Sequence, residues 1–145
     1  MPEFTLRKAV SEEDVLKVMV VRGIVFIEEQ NVDWNGEIDA YEKESIHFLG
    51  ECDGEPVATG RLRELEDRWW KVERIAVRPA WRGRGYAREM VEFLMDHALA
   101  MGAQRVRMHA QVYLEDFYRA FGFTREGGVF VECGIDHILM TRKDA

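Results

Sequence analysis

Residues 72–110 read VERIAVRPAWRGRGYAREMVEFLMDHALAMGAQRVRMHA. A β-branched, apolar opening gives way to a glycine-containing turn, then to a run with helical periodicity, then to a second strand-like segment. Within the helical run Ala87, Val91, Leu94 and Ala98 share one stripe, with Met90 and Met95 beside it, and Gly102 is placed to end the helix. Strand, helix and strand in this order make a crossover unit, so the two strands are expected to lie parallel.

Working outward, the segments SIHFLGE (45–51), EPVATGRLRE (55–64) and DRWWKVERIAV (67–77) read as three strands. The turn CDG (52–54) joins the first two as a hairpin, and the three make an antiparallel meander. Upstream, FTLRKAV (4–10) alternates like a strand and ends at Ser11, a candidate cap for a helix with Glu12, Glu13 and Asp14 in its first turn. That helix carries Val15, Leu16, Met19, Val20 and Ile24, which predicts a largely buried element. Residues 20–30 (VVRGIVFIEEQ) continue it or begin a second helix, and residues 31–44 (NVDWNGEIDAYEKE) read as a loop or short helix. Downstream come a short helix through EDFYRAF (115–121), Gly122, and terminal strands around GVFVE (128–132) and DHILMTR (136–142). The sum is one α/β domain over residues 1–145: a mixed, mostly antiparallel sheet with a central parallel pair and helices on both faces.

The 145 residues carry a formal net charge of -7, which argues against non-specific attraction to nucleic acid or an anionic membrane. Neither a leader pattern nor a membrane-length apolar run is present, so the expected location is the cytoplasm. Two cysteines, Cys52 and Cys133, show no scaffold or Cys-x-x-Cys spacing and read as reduced. His47, His97, His109 and His137 lack metal-ligand spacing, and no metal is expected.

Against this acidic background, residues 77–90 gather Arg78, Arg82, Arg84 and Arg88 with Gly83 and Gly85. A glycine turn leading into a helix presents unpaired amides to an anion, and the arginines add charge that can pair with phosphate oxygens. The turn lacks the Lys-Ser/Thr ending of a P-loop and the Gly-x-Gly-x-x-Gly of a dinucleotide fold. A solvated basic turn is the other reading of this stretch alone.

The segment RIAVRPAWRGRGYA resembles the coenzyme A loop of the GNAT family of N-acetyltransferases, whose pattern Arg/Gln-x-x-Gly-x-Gly/Ala is met by Arg82, Gly85 and Ala87. The following helix, RVRMHAQ and FYRAFGF occur in the family's order, so the resemblance covers roughly residues 56–141. The N-terminal half is similar to a subgroup of small bacterial members. The resemblance implies that Arg82, Gly83, Arg84, Gly85, Tyr86 and Ala87 hold the pyrophosphate of acetyl-coenzyme A, the acyl-donor cosubstrate. It further implies that the backbone of Ile75, Ala76 and Val77 pairs with the pantetheine arm, with Gln111 where many members carry asparagine.

Acetyl transfer requires a neutral amine, a polarised thioester carbonyl and a proton donor for the thiolate. Tyr118 stands where family members carry the acid, with Tyr113 as fallback. For the base, Glu73 and His137 both remain candidates; Glu73 could instead pair with a neighbouring arginine. His47 and His109 read as strand residues without identifiable partners. Arg22, Gln30 and Arg74, with Glu29 and Trp34, are candidates for the acceptor site, where the arginines would suit a carboxylate and the acidic surface a cationic amine. The implied activity is transfer of acetyl to a primary amine of a small molecule by direct attack in a ternary complex. A non-catalytic acyl-coenzyme A sensor is the alternative, and nucleic-acid binding through the Arg-Gly turn is opposed by the charge balance. Edge pairing of the terminal strands would give a homodimer.

Overall fold

Alternation in the three central segments is realised as a meander. In the computed structural model, which describes residues 3–143, strands β2 (Ile46–Cys52), β3 (Glu55–Glu64) and β4 (Trp69–Val77) pair antiparallel. Strand β1 (Phe4–Lys8) adds to β2, and β5 (Arg105–Gln111), β6 (Thr124–Glu132) and β7 (Ile135–Lys143) complete a seven-stranded sheet of order β1-β2-β3-β4-β5-β7-β6. Every neighbouring pair is antiparallel except β4 and β5, as the crossover requires.

Helix α3 (Tyr86–Ala100) provides the crossover and buries Met90, Val91, Leu94, Met95 and Ala98; Ala87, at its first turn, is half-buried. It approaches β3 so closely that a Cβ on Gly60 would sit 3.1 Å from the Leu94 methyls and 3.0 Å from Ile75. Phe48, Leu62, Val72, Val106, Met108, Phe123, Ile138 and Met140 fill the core around it.

Helix α1 (Glu12–Arg22) begins as expected, with the Asp14 amide donating to the Ser11 hydroxyl at 3.1 Å. Its buried face corrects the sequence reading. Asp14, Val18, Val21 and Arg22 are buried, Met19 and Ile24 are half-buried, and Val15, Leu16 and Val20 are exposed, Leu16 by 67%. Ion pairing explains the inversion: Asp14 is met by Arg7 at 2.6 Å and Arg22 by Glu37 at 2.6 Å, so charged side chains take positions that apolar patterning would give to valine and leucine.

The ambiguous stretch after α1 winds into wider π-helical turns, Gly23–Glu29, closed by the Gln30 amide on the Val25 carbonyl at 3.1 Å. Val21 and Val25 pack on Ala76 of β4, which sets this segment over the middle of the sheet. Helix α2 (Trp34–Glu37) is a single turn, and α4 (Glu115–Arg119) follows β5. Cys52 and Cys133 are both free. No helix among the described residues is long and apolar enough to cross a membrane.

Candidate active site

Strands β4 and β5 pair only from Trp69 to Lys71 against Arg105 to Arg107. Beyond that point they part, and among the described residues the facing edge of β4 from Val72 to Val77 has no strand partner. On its other edge the register with β3 slips between Thr59 and Arg61, and Arg74 takes a left-handed φ of 55°. An extra residue in β4 accounts for both, a bulge that bends the strand away from β5. A cavity of about 460 Å³ opens where the strands separate. The π-helical segment covers one side, α4 another, and the turn between β6 and β7 a third.

Of the residues singled out from sequence, Glu73, Arg74, Ile75, Ala76, Val77, Arg82, Ala87, Gln111, Gln30, Tyr118 and His137 all line this cavity. Gly83 and Gly85 form the adjoining turn, at φ of 80° and 82°, with nothing within 4 Å of where a Cβ would stand. Gly85 is the residue before α3, and no side chain caps the amides there. Arg84 is solvent-exposed over the Trp81 ring, 5.1 Å from its centroid. The Arg82 guanidinium donates to the Val77 carbonyl at 2.9 Å and doubly to Glu29 at 2.7 and 2.6 Å.

Three assignments change. The Tyr86 ring stacks on Phe4 at 3.9 Å, away from the cavity, so only its backbone belongs to the turn. Arg22 does not reach the cavity: its side chain is 1% exposed and bound by Glu37 and Glu42 at 2.6 and 2.8 Å. It ties the segment carrying α2 to α1. Arg61 extends this network to Asp39, Glu42 and Glu73 at 2.9, 3.0 and 2.8 Å, so the cavity wall rests on paired charges. Glu73 lines the cavity, but its carboxylate is shared by Arg61 and by Arg63 at 2.9 Å. Burial pushes its pKa up, the bond to Arg63 and the charges of Arg61 and Lys71 outweigh that, and the net direction is down. This is a carboxylate held ionised in a structural ion pair.

Tyr118 is buried in the wall, and desolvation, then the nearby Tyr113, raises its pKa, so the phenol keeps its proton at neutral pH. His137 is buried with Nδ1 2.7 Å from the Ile135 carbonyl. A carbonyl only accepts, so Nδ1 carries a proton and donates it to this contact. Gln111 donates to Gln30 at 3.0 Å, joining β5 to the π-helical segment. Arg74 donates to the Gly36 and Glu37 carbonyls and to Asp39 at 3.3, 3.0 and 3.3 Å, which fixes the single turn of α2 to the bulge.

Two cavity residues carry no legible sequence signal. His109 was without a partner in the sequence, yet its Nδ1 lies 2.7 Å from Glu132 Oε2, brought from β6. Lys71 Nζ lies 3.5 Å from the same Nδ1 and 3.6 Å from Glu73, and burial drives its pKa down.

The model of the acetyltransferase (GNAT) family matches residues 19–123. The chain belongs to the GNAT acetyltransferase family. Among its GNAT relatives is an uncharacterised N-acetyltransferase, YjcF of Bacillus subtilis, 33% identical over 92% of this chain and 96% of that one. The crystal structure of Escherichia coli ElaA superposes with a TM-score of 0.85 at 27% identity, over 99% of this chain and 100% of that one. The GNAT fold is shared at 17% identity with N-acetylglutamate synthase of Neisseria gonorrhoeae, solved with coenzyme A and N-acetyl-glutamate; the TM-score is 0.75, over 100% of this chain and 36% of that one.

Proposed function

We propose that this protein transfers acetyl from acetyl-coenzyme A to a primary amine of a small molecule by direct attack in a ternary complex. The observation that carries the reading is the parted edge of β4, which opens on one cavity together with the uncapped start of α3 and the buried Tyr118. The edge from Val72 to Val77 offers backbone groups for the pantetheine arm to pair with as an added strand, and one amide there polarises the thioester carbonyl. Gly83, Gly85 and the first amides of α3 receive the pyrophosphate, with Arg82 beside them. The neighbour solved with coenzyme A on the same fold supports this use of the groove.

Chemistry follows from the wall residues. The acceptor amine attacks the carbonyl carbon, the carbon–sulfur electrons pass to sulfur, and Tyr118, protonated at neutral pH, donates to the departing thiolate. The amine's proton goes to an imidazole of the cavity, because Glu73 is committed to Arg61 and Arg63. A non-catalytic binder would need the loop and the strand edge alone; the oriented imidazoles and the buried phenol favour transfer.

Calorimetric titration with acetyl-coenzyme A, beside an analogue lacking the phosphates, tests the first half of this reading. Saturable binding that weakens without phosphates is expected, followed by thiol release in a screen of small primary amines. A folded protein that binds neither form refutes it.

A further inference from the structure

We propose that His109, oriented by Glu132, is the imidazole that takes the acceptor's proton. The inference rests on the transfer reading above. Alternation along β5 places Arg107, His109 and Gln111 on one face, and the register sets Gln111 opposite His137 on β7 and His137 opposite Phe130 on β6. The Phe130 ring lies against both imidazoles, 5.0 Å from His109 and 6.0 Å from His137. The two histidines therefore share one wall of the cavity, and Glu132, two residues beyond Phe130, reaches the outer one.

Both rings are fixed at Nδ1, but by different chemistry. His137 donates to a carbonyl, which sets its tautomer and offers an imidazolium only a dipole. His109 donates to an ionised carboxylate at 2.7 Å, which sets the tautomer and also stabilises the cation formed when Nε2 accepts a proton. Lys71 is the competing partner of Nδ1, at 3.5 Å; a nitrogen already donating to Glu132 has no lone pair for it, and the longer contact is the weaker. Exposure separates the histidines as well. His109 is half-buried and His137 buried, so a proton taken by His109 has a path to water.

The titratable side chains lining the cavity with this ring include Lys71 and Glu73 on β4, Tyr113 and Tyr118 around α4, Glu132 on β6, Cys133 in the β6–β7 turn and His137 on β7. In the step itself the amine nitrogen bonds to the carbonyl carbon, the carbon–sulfur bond breaks, one amine proton moves to His109 Nε2, and the thiolate takes the Tyr118 proton. His109 then returns its proton to water, and a proton from water restores the Tyr118 phenol. Glu132 acts through His109 as a positioning residue.

The test compares pH profiles for wild type, His109→Gln, His137→Gln, Glu132→Gln and Glu132→Asp, with n-butylamine as acceptor probe and saturating acetyl-coenzyme A. His109→Gln is expected to lose the acidic imidazole limb and about 10²–10⁴-fold in kcat while binding coenzyme A as wild type does. Glu132→Gln is expected to lower kcat with the KM for n-butylamine little changed, and Glu132→Asp restores kcat in part. A limb that survives in His109→Gln and vanishes in His137→Gln overturns this assignment alone; absence of coenzyme A binding in wild type overturns the transfer reading and this assignment with it. Should coenzyme A bind without turnover of butylamine, the imidazole ¹⁵N spectrum decides: His109 is expected as the Nδ1–H tautomer, shifting in Glu132→Gln, and a proton found on Nε2 overturns the proposal.

Discussion

Gly54, Gly83 and Gly85 sit at φ of 83°, 80° and 82°, each with nothing within 4 Å of the position a Cβ would take, yet they serve different surfaces. Gly54 closes the β2–β3 hairpin; the other two shape the turn before α3. Replacement by alanine meets no steric obstacle at any of the three, so the folding cost is the left-handed backbone alone, about 1–2 kcal/mol for each. In a chain of this size that lowers Tm by roughly 2–8 °C. Coenzyme A binding should split the set. If phosphates rest on the amides of the turn, a methyl there displaces hydrogen bonds to charged oxygens worth about 1.5–3 kcal/mol each, a loss of roughly 10- to 100-fold in affinity. Gly54→Ala should bind as wild type does. Calorimetric titration at a temperature where all variants are folded reads the affinity, and thermal unfolding reads the common cost. Equal binding by all three variants, with similar Tm losses, would refute the placement of the phosphates.

Glu29→Gln releases the Arg82 guanidinium from a half-exposed pair, and a pair of that kind is worth about 0.2–1 kcal/mol; coenzyme A affinity should rise up to about fivefold at low salt, the gain fading as salt is added. Calorimetry at two ionic strengths checks this. Glu42 is pushed up by burial but more strongly drawn down by Arg22, to about 2 from an ordinary 4.5. Its contribution is present above about pH 4.5 and lost as pH falls toward 2, so Glu42→Gln should cost about 3 kcal/mol at neutral pH and flatten the acid limb of denaturant-measured stability. An unchanged acid limb would remove Glu42 from the stability account. Tyr118→Phe should lower kcat about 100-fold, with acetyl-coenzyme A affinity and Tm near wild type; steady-state kinetics showing undiminished kcat would exclude the phenol as proton donor.

The meander, the crossover helix with its Val91–Leu94–Ala98 stripe, the Ser11 cap and the Arg82–Ala87 turn were legible in the sequence, because periodicity, capping and turn chemistry act over a few neighbouring residues. Helix α1 was misread where that locality failed: the charges of Asp14 and Arg22 are buried by Arg7, Glu37 and Glu42, partners that no helical period reveals. The site follows the same division. The sequence placed Tyr118, His137 and Glu73 as candidates, but only the tertiary structure committed Glu73 to Arg61 and Arg63. Tertiary structure alone parted β4 from β5 at Lys71, and it alone carried Glu132 across the edge of the sheet to His109. Pairing of charges and parting of strands depend on which residues the chain's long-range register makes neighbours, and that register is set by the packing of the whole sheet.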